Sequence, residues 1–235
     1  MTTIVSIFAI IAAISTVIYT IITVKTLKEI RKQRETTYLP NVILGESSYT
    51  MLANDNLNHS SILFEDIRSK IKSKYCYLNI YNIGLASAKN LKFTFNINND
   101  KFIDIANKEI EGLSISKLKN GFLSMDYKQY KSGHNLTAQT NREKDFLIPV
   151  NIENKSFQLE LPSYLVSILY ILTYDIENNY EVLKDLPNFD LEIEYEDLNN
   201  KKHWIGYKLS FNIFSMTKTD VIFEIKKERT TANKT

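Results

Sequence analysis

A chain of 235 residues with 44% hydrophobic and 24% charged side chains, but only six glycines and four prolines, is not composed as a disordered tail or a collagen-like rod, and it has room for one elaborated domain or two small ones. The formal net charge of +2 is unevenly spread. Residues 25–35 hold five basic and two acidic side chains, net +3, which leaves 36–235 at net −1, and a near-neutral body on a basic stalk is not the profile of a nucleic-acid binder.

The first element is the longest. Ile4 to Val24 is an uncharged run of 21 residues, twelve of them Ile, Val or Phe. As an α-helix it is roughly 31 Å long, against a hydrocarbon core of ~30 Å. Those twelve side chains contribute roughly −4 to −7 kcal/mol towards insertion, and a helix satisfies its own backbone in lipid. The run predicts a transmembrane anchor over residues 1–24. A cleaved signal peptide fits less well: Met1-Thr2-Thr3 has no charged side chain, and Lys25-Thr26-Leu27-Lys28 stands where a small-residue cleavage site belongs. Lys25, Lys28, Arg31, Lys32 and Arg34 follow Val24, against Glu29 and Glu35, and no Lys or Arg precedes it. Basic residues mark the cytoplasmic side, so the expectation is a cell-membrane protein crossing once, N-terminus outside and C-terminal domain cytoplasmic. The same five side chains are expected to contact lipid headgroups, at about 1 kcal/mol each. The one cysteine, Cys76, cannot form an intramolecular disulfide, which fits a reducing compartment.

Along the anchor, Ser6, Ala9, Ala13, Thr16, Thr20 and Thr23 fall at alternating three- and four-residue steps, and the series continues as Leu27 and Ile30. One seam thus carries small residues where lipid is the solvent, and large apolar residues where water is. Close approach of small residues drives helix pairing in lipid, and burial of Leu and Ile drives it in water. The 3.5-residue period implies a left-handed crossing, and with it a parallel dimer or small oligomer. The competing account is that Ala, Ser and Thr are common in membrane helices and align here by accident.

Residues 25–38, made of good helix formers, are expected to continue the helix into the cytoplasm as a basic juxtamembrane segment until Pro40 ends it. A domain is expected over 39–228 and a disordered tail over 229–235. Its first strand is Asn41 to Leu44. Residues 53–61 read as a loop; 62–72 are ambiguous, with Phe64, Ile67 and Ile71 on one helical face. Arg68, Lys70, Lys72 and Lys74 make a basic comb, read as a solvated face or as a lipid or partner contact. Tyr75 to Tyr81 reads as a strand, Asn82-Ile83-Gly84 as a turn, and Leu91, Phe93, Phe95 and Ile97 as the apolar face of a half-buried strand. Further strands are expected at Gly121 to Met125, Phe146 to Val150 and Phe157 to Leu161. After Pro162, Tyr164 to Thr173 is almost wholly apolar and too short to span a bilayer, so it predicts a buried helix. Phe189 to Glu196 and Ile205 to Phe211 alternate as a hairpin, and demanding a shared apolar face pairs Tyr195 with Ile205 and Glu192 with Lys208, around a loop of three or five residues. A last strand runs from Val221 to Lys226.

Many alternating strands without a βαβ rhythm predict a mainly β fold: an antiparallel β-sandwich with one or two short helices, behind the N-terminal transmembrane helix. The stretch Asn82-Ile83-Gly84-Leu85-Ala86-Ser87-Ala88-Lys89-Asn90-Leu91-Lys92-Phe93 resembles the N-x-G … A-x-N-hydrophobic corner of immunoglobulin-like bacterial sandwiches. The layout of anchor, basic helix, proline and domain resembles a group of uncharacterised bacterial single-pass membrane proteins. The resemblance implies an architecture and no activity.

No phosphate-binding loop, dinucleotide fingerprint or nucleophile elbow is present. His59, His134 and His203 are scattered, without zinc-site spacing, and Cys76 sits in an apolar strand and reads as core. The acidic row Asp190, Glu192, Glu194, Glu196 and Asp197 could invite Ca²⁺, but strand alternation makes it a solvated face. No catalytic, cofactor or metal residue is therefore expected. The leading reading is a non-enzymatic cytoplasmic interaction module at the inner leaflet, binding a protein partner or itself. Its rivals are a membrane-tethered hydrolase whose site the sequence does not display and an extracellular adhesin-like domain in the inverted topology.

Overall fold

The computed structural model describes residues 2–52, 63–66, 72–73, 75–119, 121–128, 130–136, 140–153, 155–174, 186–216 and 220–230. One continuous helix, α1 (Thr2–Thr37), runs through both the apolar run and the basic segment and stops short of Pro40. It ends about 20 Å beyond Val24 at ~1.5 Å per residue. Among the described residues no helix is long and apolar enough to cross a membrane. The described side chains of α1 begin at Ala13, and from there the helix soon takes in Lys25, Lys28 and Glu29.

The rest is mainly β, in antiparallel sheets. β1 (Val42–Leu44), β5 (Tyr77–Asn82) and β11 (Phe157–Glu160) form one sheet in the order β1-β5-β11. A large sheet has the order β10-β6-β12-β13-β14-β2-β3-β4. Its strands are β2 (Ser47–Leu52), β3 (Leu63–Asp66), β4 (Lys72–Ser73), β6 (Ala88–Asn96), β10 (Asn141–Leu147), β12 (Phe189–Glu196), β13 (Lys202–Met216) and β14 (Asp220–Thr230). A third sheet joins β7 (Leu113–Lys117), β8 (Phe122–Tyr127) and β9 (Tyr130–Asn135). Period-two alternation decides the faces: Leu91, Phe93 and Phe95, then Phe189, Leu191, Ile193 and Tyr195, then Ile205, Tyr207 and Leu209 are all buried. The first sheet packs on the large one, where the Phe157 ring stacks on Phe93 at 5.3 Å and the Leu44 N–H donates to Tyr207 Oη at 3.1 Å.

Helices α2 (Asn99–Glu109), α3 (Val150–Glu153) and α4 (Ser163–Tyr174) make three short helices among the described residues, where one or two were expected. In α4, Tyr164 to Ile171 are buried on every side, as its apolar sequence predicts. Helix α2 went unread because Asn98 looks like the end of the preceding strand. Its side chain instead accepts from Lys101 N–H as an N-cap, and Phe102, Ala106 and Ile110 then fall on one buried face.

The hairpin register is corrected by two residues. Tyr195 faces His203, Ile193 faces Ile205, and Lys208 faces Asp190, not Glu192, which lies opposite Gly206. A two-residue slip keeps the same side chains inside, so apolar matching could not see it. The loop decides: the Asp197 carboxylate accepts N–H groups of Asn199 and Lys201 at 2.8 and 3.0 Å, and Asn200 takes a left-handed conformation (φ 61), so the turn centres one residue earlier. Leu63–Asp66 is a strand, against the helical option for 62–72. The loop at 53–61, Ile67, Ile71 and the comb residues Arg68, Lys70 and Lys74 lie outside the described residues; Lys72 is on β4. The strand expected at Phe146 to Val150 lies earlier, as β10, and β14 continues to Thr230, into the expected tail.

Candidate functional site

On α1, Ala13, Thr16, Thr20, Leu27 and Ile30 of the expected seam are exposed and Thr23 is half-buried; the side chains of Ser6 and Ala9 lie outside those described. Helical geometry puts the series on one stripe that drifts by ~20° per heptad. Two of the seam threonines keep their hydroxyls on the helix: Thr20 donates to Thr16 O and Thr23 to Tyr19 O, both at 2.8 Å. Ile14, Val17, Ile18, Ile21, Ile22 and Val24 are about half exposed, a large apolar surface for the described part of the helix to leave open. Lys25, Lys28, Arg31 and Lys32 are exposed, and the Arg34 side chain lies outside those described.

The foot of α1 is where a buried polar centre sits. Strand β5 ends at Asn82, which is fully buried. Its Oδ1 accepts the N–H groups of Asn41 and Gly84 at 3.0 and 3.1 Å, and its Nδ2 donates to the carbonyls of Ala86 and Leu147 at 2.7 and 3.0 Å. Two donors and two acceptor positions are the whole capacity of a side-chain amide. Ile83 N–H adds a bond to Asn41 O at 2.8 Å. At Gly84, a Cβ would lie 2.5 Å from Asn41 N and closer still to the Leu39 carbonyl oxygen, so only glycine lets the chain leaving α1 press so near. Past the corner, β1 is held from the large sheet: Tyr207 takes the Leu44 N–H, the Lys227 ammonium meets the Leu44 carbonyl, and the Tyr195 hydroxyl meets the Val42 backbone. Burial pushes the Tyr195 phenol up. The N-x-G wording marked this corner as a turn; its role in holding the chain that leaves α1 was not legible, because Asn41 and Asn82 are distant in sequence.

Asp190, Glu192, Glu194 and Glu196 lie on the outer face of the large sheet, beside a groove of about 290 Å³ lined by Asn90, Lys92, Glu143, Asp145, Glu196 and Lys202 among others, whereas Asp197, expected on the same solvated face, is buried at the hairpin turn. Cross-strand neighbours alternate in sign: Glu143, Lys92 and Glu194 stand in one row. Lys202 lies 3.0 Å from Glu194, and that hydrogen bond lowers the Glu194 carboxyl and raises the lysine. Glu192 and Glu196 accept from Asn96 and Asn90 at 3.1 and 2.8 Å. Burial alone would raise the Asp197 carboxyl, but bonds from His203 and the N–H groups of Lys201 and Asn199 hold it below its usual value.

The remaining candidates are dispersed. Cys76 is buried in the core. His134, buried on β9, places Nδ1 2.8 Å from Ser163 Oγ at the start of α4 and Nε2 3.0 Å from Ser132 Oγ. His203 lies 3.1 Å from Asp197 at the hairpin turn, and His59 is outside the described residues. Among the described residues no three His, Cys, Asp or Glu side chains gather as a metal site. Compared with known proteins, the chain matches no family model, no curated protein and no solved structure.

Proposed function

We propose that this chain is a single-pass, membrane-anchored interaction module without enzymatic activity, its domain an immunoglobulin-like β-sandwich held at the cytoplasmic face of the inner leaflet and self-associating through α1. The observation that carries the reading is the long helix α1: exposed apolar residues up to Val24, then Lys25, Lys28, Arg31 and Lys32 on the same continuous helix, then a body locked to its end. Lipid, or a second copy, is the environment that removes such a surface from water. Alkaline carbonate extraction and protease protection test it. The chain stays in the carbonate pellet and a C-terminal epitope survives protease in spheroplasts but not in inverted vesicles. Release by carbonate overturns the anchor, and digestion in spheroplasts overturns the orientation in favour of the adhesin topology.

A second reading, a tethered hydrolase, has one observation on its side: the 2.8 Å separation of Ser163 Oγ from His134 Nδ1, the distance of a nucleophile from its base. A fluorophosphonate probe that labels wild type and not Ser163→Ala would establish it over the non-enzymatic reading.

A further inference from the structure

The chain between α1 and β1 is short, stiff and bonded on both sides. Helix α1 ends at Thr37, and Asn41 is already fixed through both its N–H and its carbonyl. Three residues lie between, Tyr38, Leu39 and Pro40. Pro40 is buried, with its own φ set near −65° by the ring, and proline confines the residue before it to extended conformations. The Leu39 carbonyl and the Pro40 backbone both lie against Gly84 where no Cβ could fit. Only Tyr38, exposed to solvent, keeps ordinary backbone freedom. Beyond the corner, the Gly45 N–H donates to Asn79 O at 2.7 Å and Leu44 is held through both its N–H and its carbonyl. A tether meant to let a domain wander has the opposite composition: Gly and Ser, solvated, with no bonds to the body.

We propose that the Asn82–Gly84 corner is a rigid coupling, which passes a tilt or rotation of α1 to the body instead of absorbing it in a hinge. Reorientation at Leu39, Pro40 or Asn41 would press on Gly84 or break the Asn41 N–H bond to the buried Asn82 amide, which leaves Tyr38 as the one residue in the connection where a hinge could act. The consequence deepens the anchored-module reading and rests on it: when α1 changes its packing against a second copy, both bodies are re-aimed, and a partner that binds the bodies in one relative orientation biases the helix pair in return.

The test is the distance distribution between two spin labels in the full chain in phosphatidylcholine–phosphatidylglycerol nanodiscs, one chain per disc. With Cys76→Ala removing the native thiol, labels go at Glu29→Cys on α1 and Asp104→Cys on α2, both exposed. A single narrow distribution is expected, broadening at least twofold in Asn82→Ala and in a chain with three glycines inserted between Thr37 and Tyr38. The insertion leaves every corner bond in place, so it decides the matter even where Asn82→Ala does not fold, as its near-ultraviolet circular dichroism would show. A broad distribution in the otherwise native chain overturns the coupling. So does an insertion that leaves the width unchanged, or a folded Asn82→Ala that stays narrow. Failure of the anchor itself is read separately, by carbonate extraction, and does not alter these widths.

Discussion

Asn82 has no spare hydrogen-bonding capacity, and its four partners come from three separate parts of the chain. Removing the amide leaves two N–H groups and two carbonyls to find other partners, each orphaned buried group costing ~1–3 kcal/mol. Asn82→Ala should therefore destabilise the protein by about 3 kcal/mol or more in urea unfolding, among the larger single-residue effects; a loss below about 1 kcal/mol would mean that water replaces the amide. Asn82→Asp keeps the acceptors but turns a carboxylate oxygen on the Ala86 and Leu147 carbonyls, so it should not rescue. A second residue-scale prediction concerns acid. Asp197 is buried and its folded pKa is depressed, so its contribution to stability is full above the unfolded value, ~3.9, and is lost as pH falls through the lower folded one. Asp197→Asn keeps the side-chain oxygen that caps the turn and removes the charge. Between pH 5 and 3 the urea midpoint of this variant should fall less than that of wild type; parallel falls would rule Asp197 out as a source of acid sensitivity.

Elements were legible where one periodicity acts over many residues. The alternation in Leu91–Phe95 and Phe189–Tyr195 and the solid apolar block of Tyr164–Ile171 each name their own burial, because a strand or helix that buries one face needs nothing from distant sequence. Register is different information. It resides in the turn, and the signal was present as Asp197, two and four residues before the N–H groups that its carboxylate accepts. Short strands such as β2, β7 and β9 were missed because five or six residues carry too little alternation to stand out. The corrected register makes a measurable difference. Lys208 stands between Asp190 and Glu228. Double-mutant cycles should give Asp190–Lys208 a coupling of a few tenths of a kcal/mol, typical of an exposed cross-strand pair. The coupling of Glu192 with Lys208 should be smaller, and a larger one would restore the register expected from apolar matching.

At the scale of the molecule, the exposed surface of α1 is the feature that a single chain leaves unexplained, and its two halves call for different partners. Up to Val24 the apolar side chains can be covered by lipid alone. Leu27 and Ile30 are 59% and 42% exposed and lie beyond the apolar run among Lys25, Lys28, Arg31 and Lys32, so in the proposed topology they would face water. A second copy, arriving along the stripe of Ala13, Thr16, Thr20 and Thr23, would cover both at once if the proposed pairing holds. In such a pair the threonines would contribute by being small, and the hydroxyls of Thr20 and Thr23, already spent on carbonyls one turn back, would ask nothing of the partner helix. In water the two large side chains would contribute by burial, ~1.5–3 kcal/mol each when complete. Single cysteines placed through residues 4–30 in a Cys76→Ala chain should crosslink in membranes with peaks at positions 6, 9, 13, 16, 20, 23, 27 and 30. Changing Leu27 and Ile30 together to serine should weaken crosslinking at position 20 at least tenfold in the steady state, although both substitutions are far from that site along the helix. A flat profile, or peaks on the face of Phe8 and Ile11, would rule the seam out. A normal profile that ignores the loss of Leu27 and Ile30 would confine pairing to the bilayer and leave those two residues for a different partner.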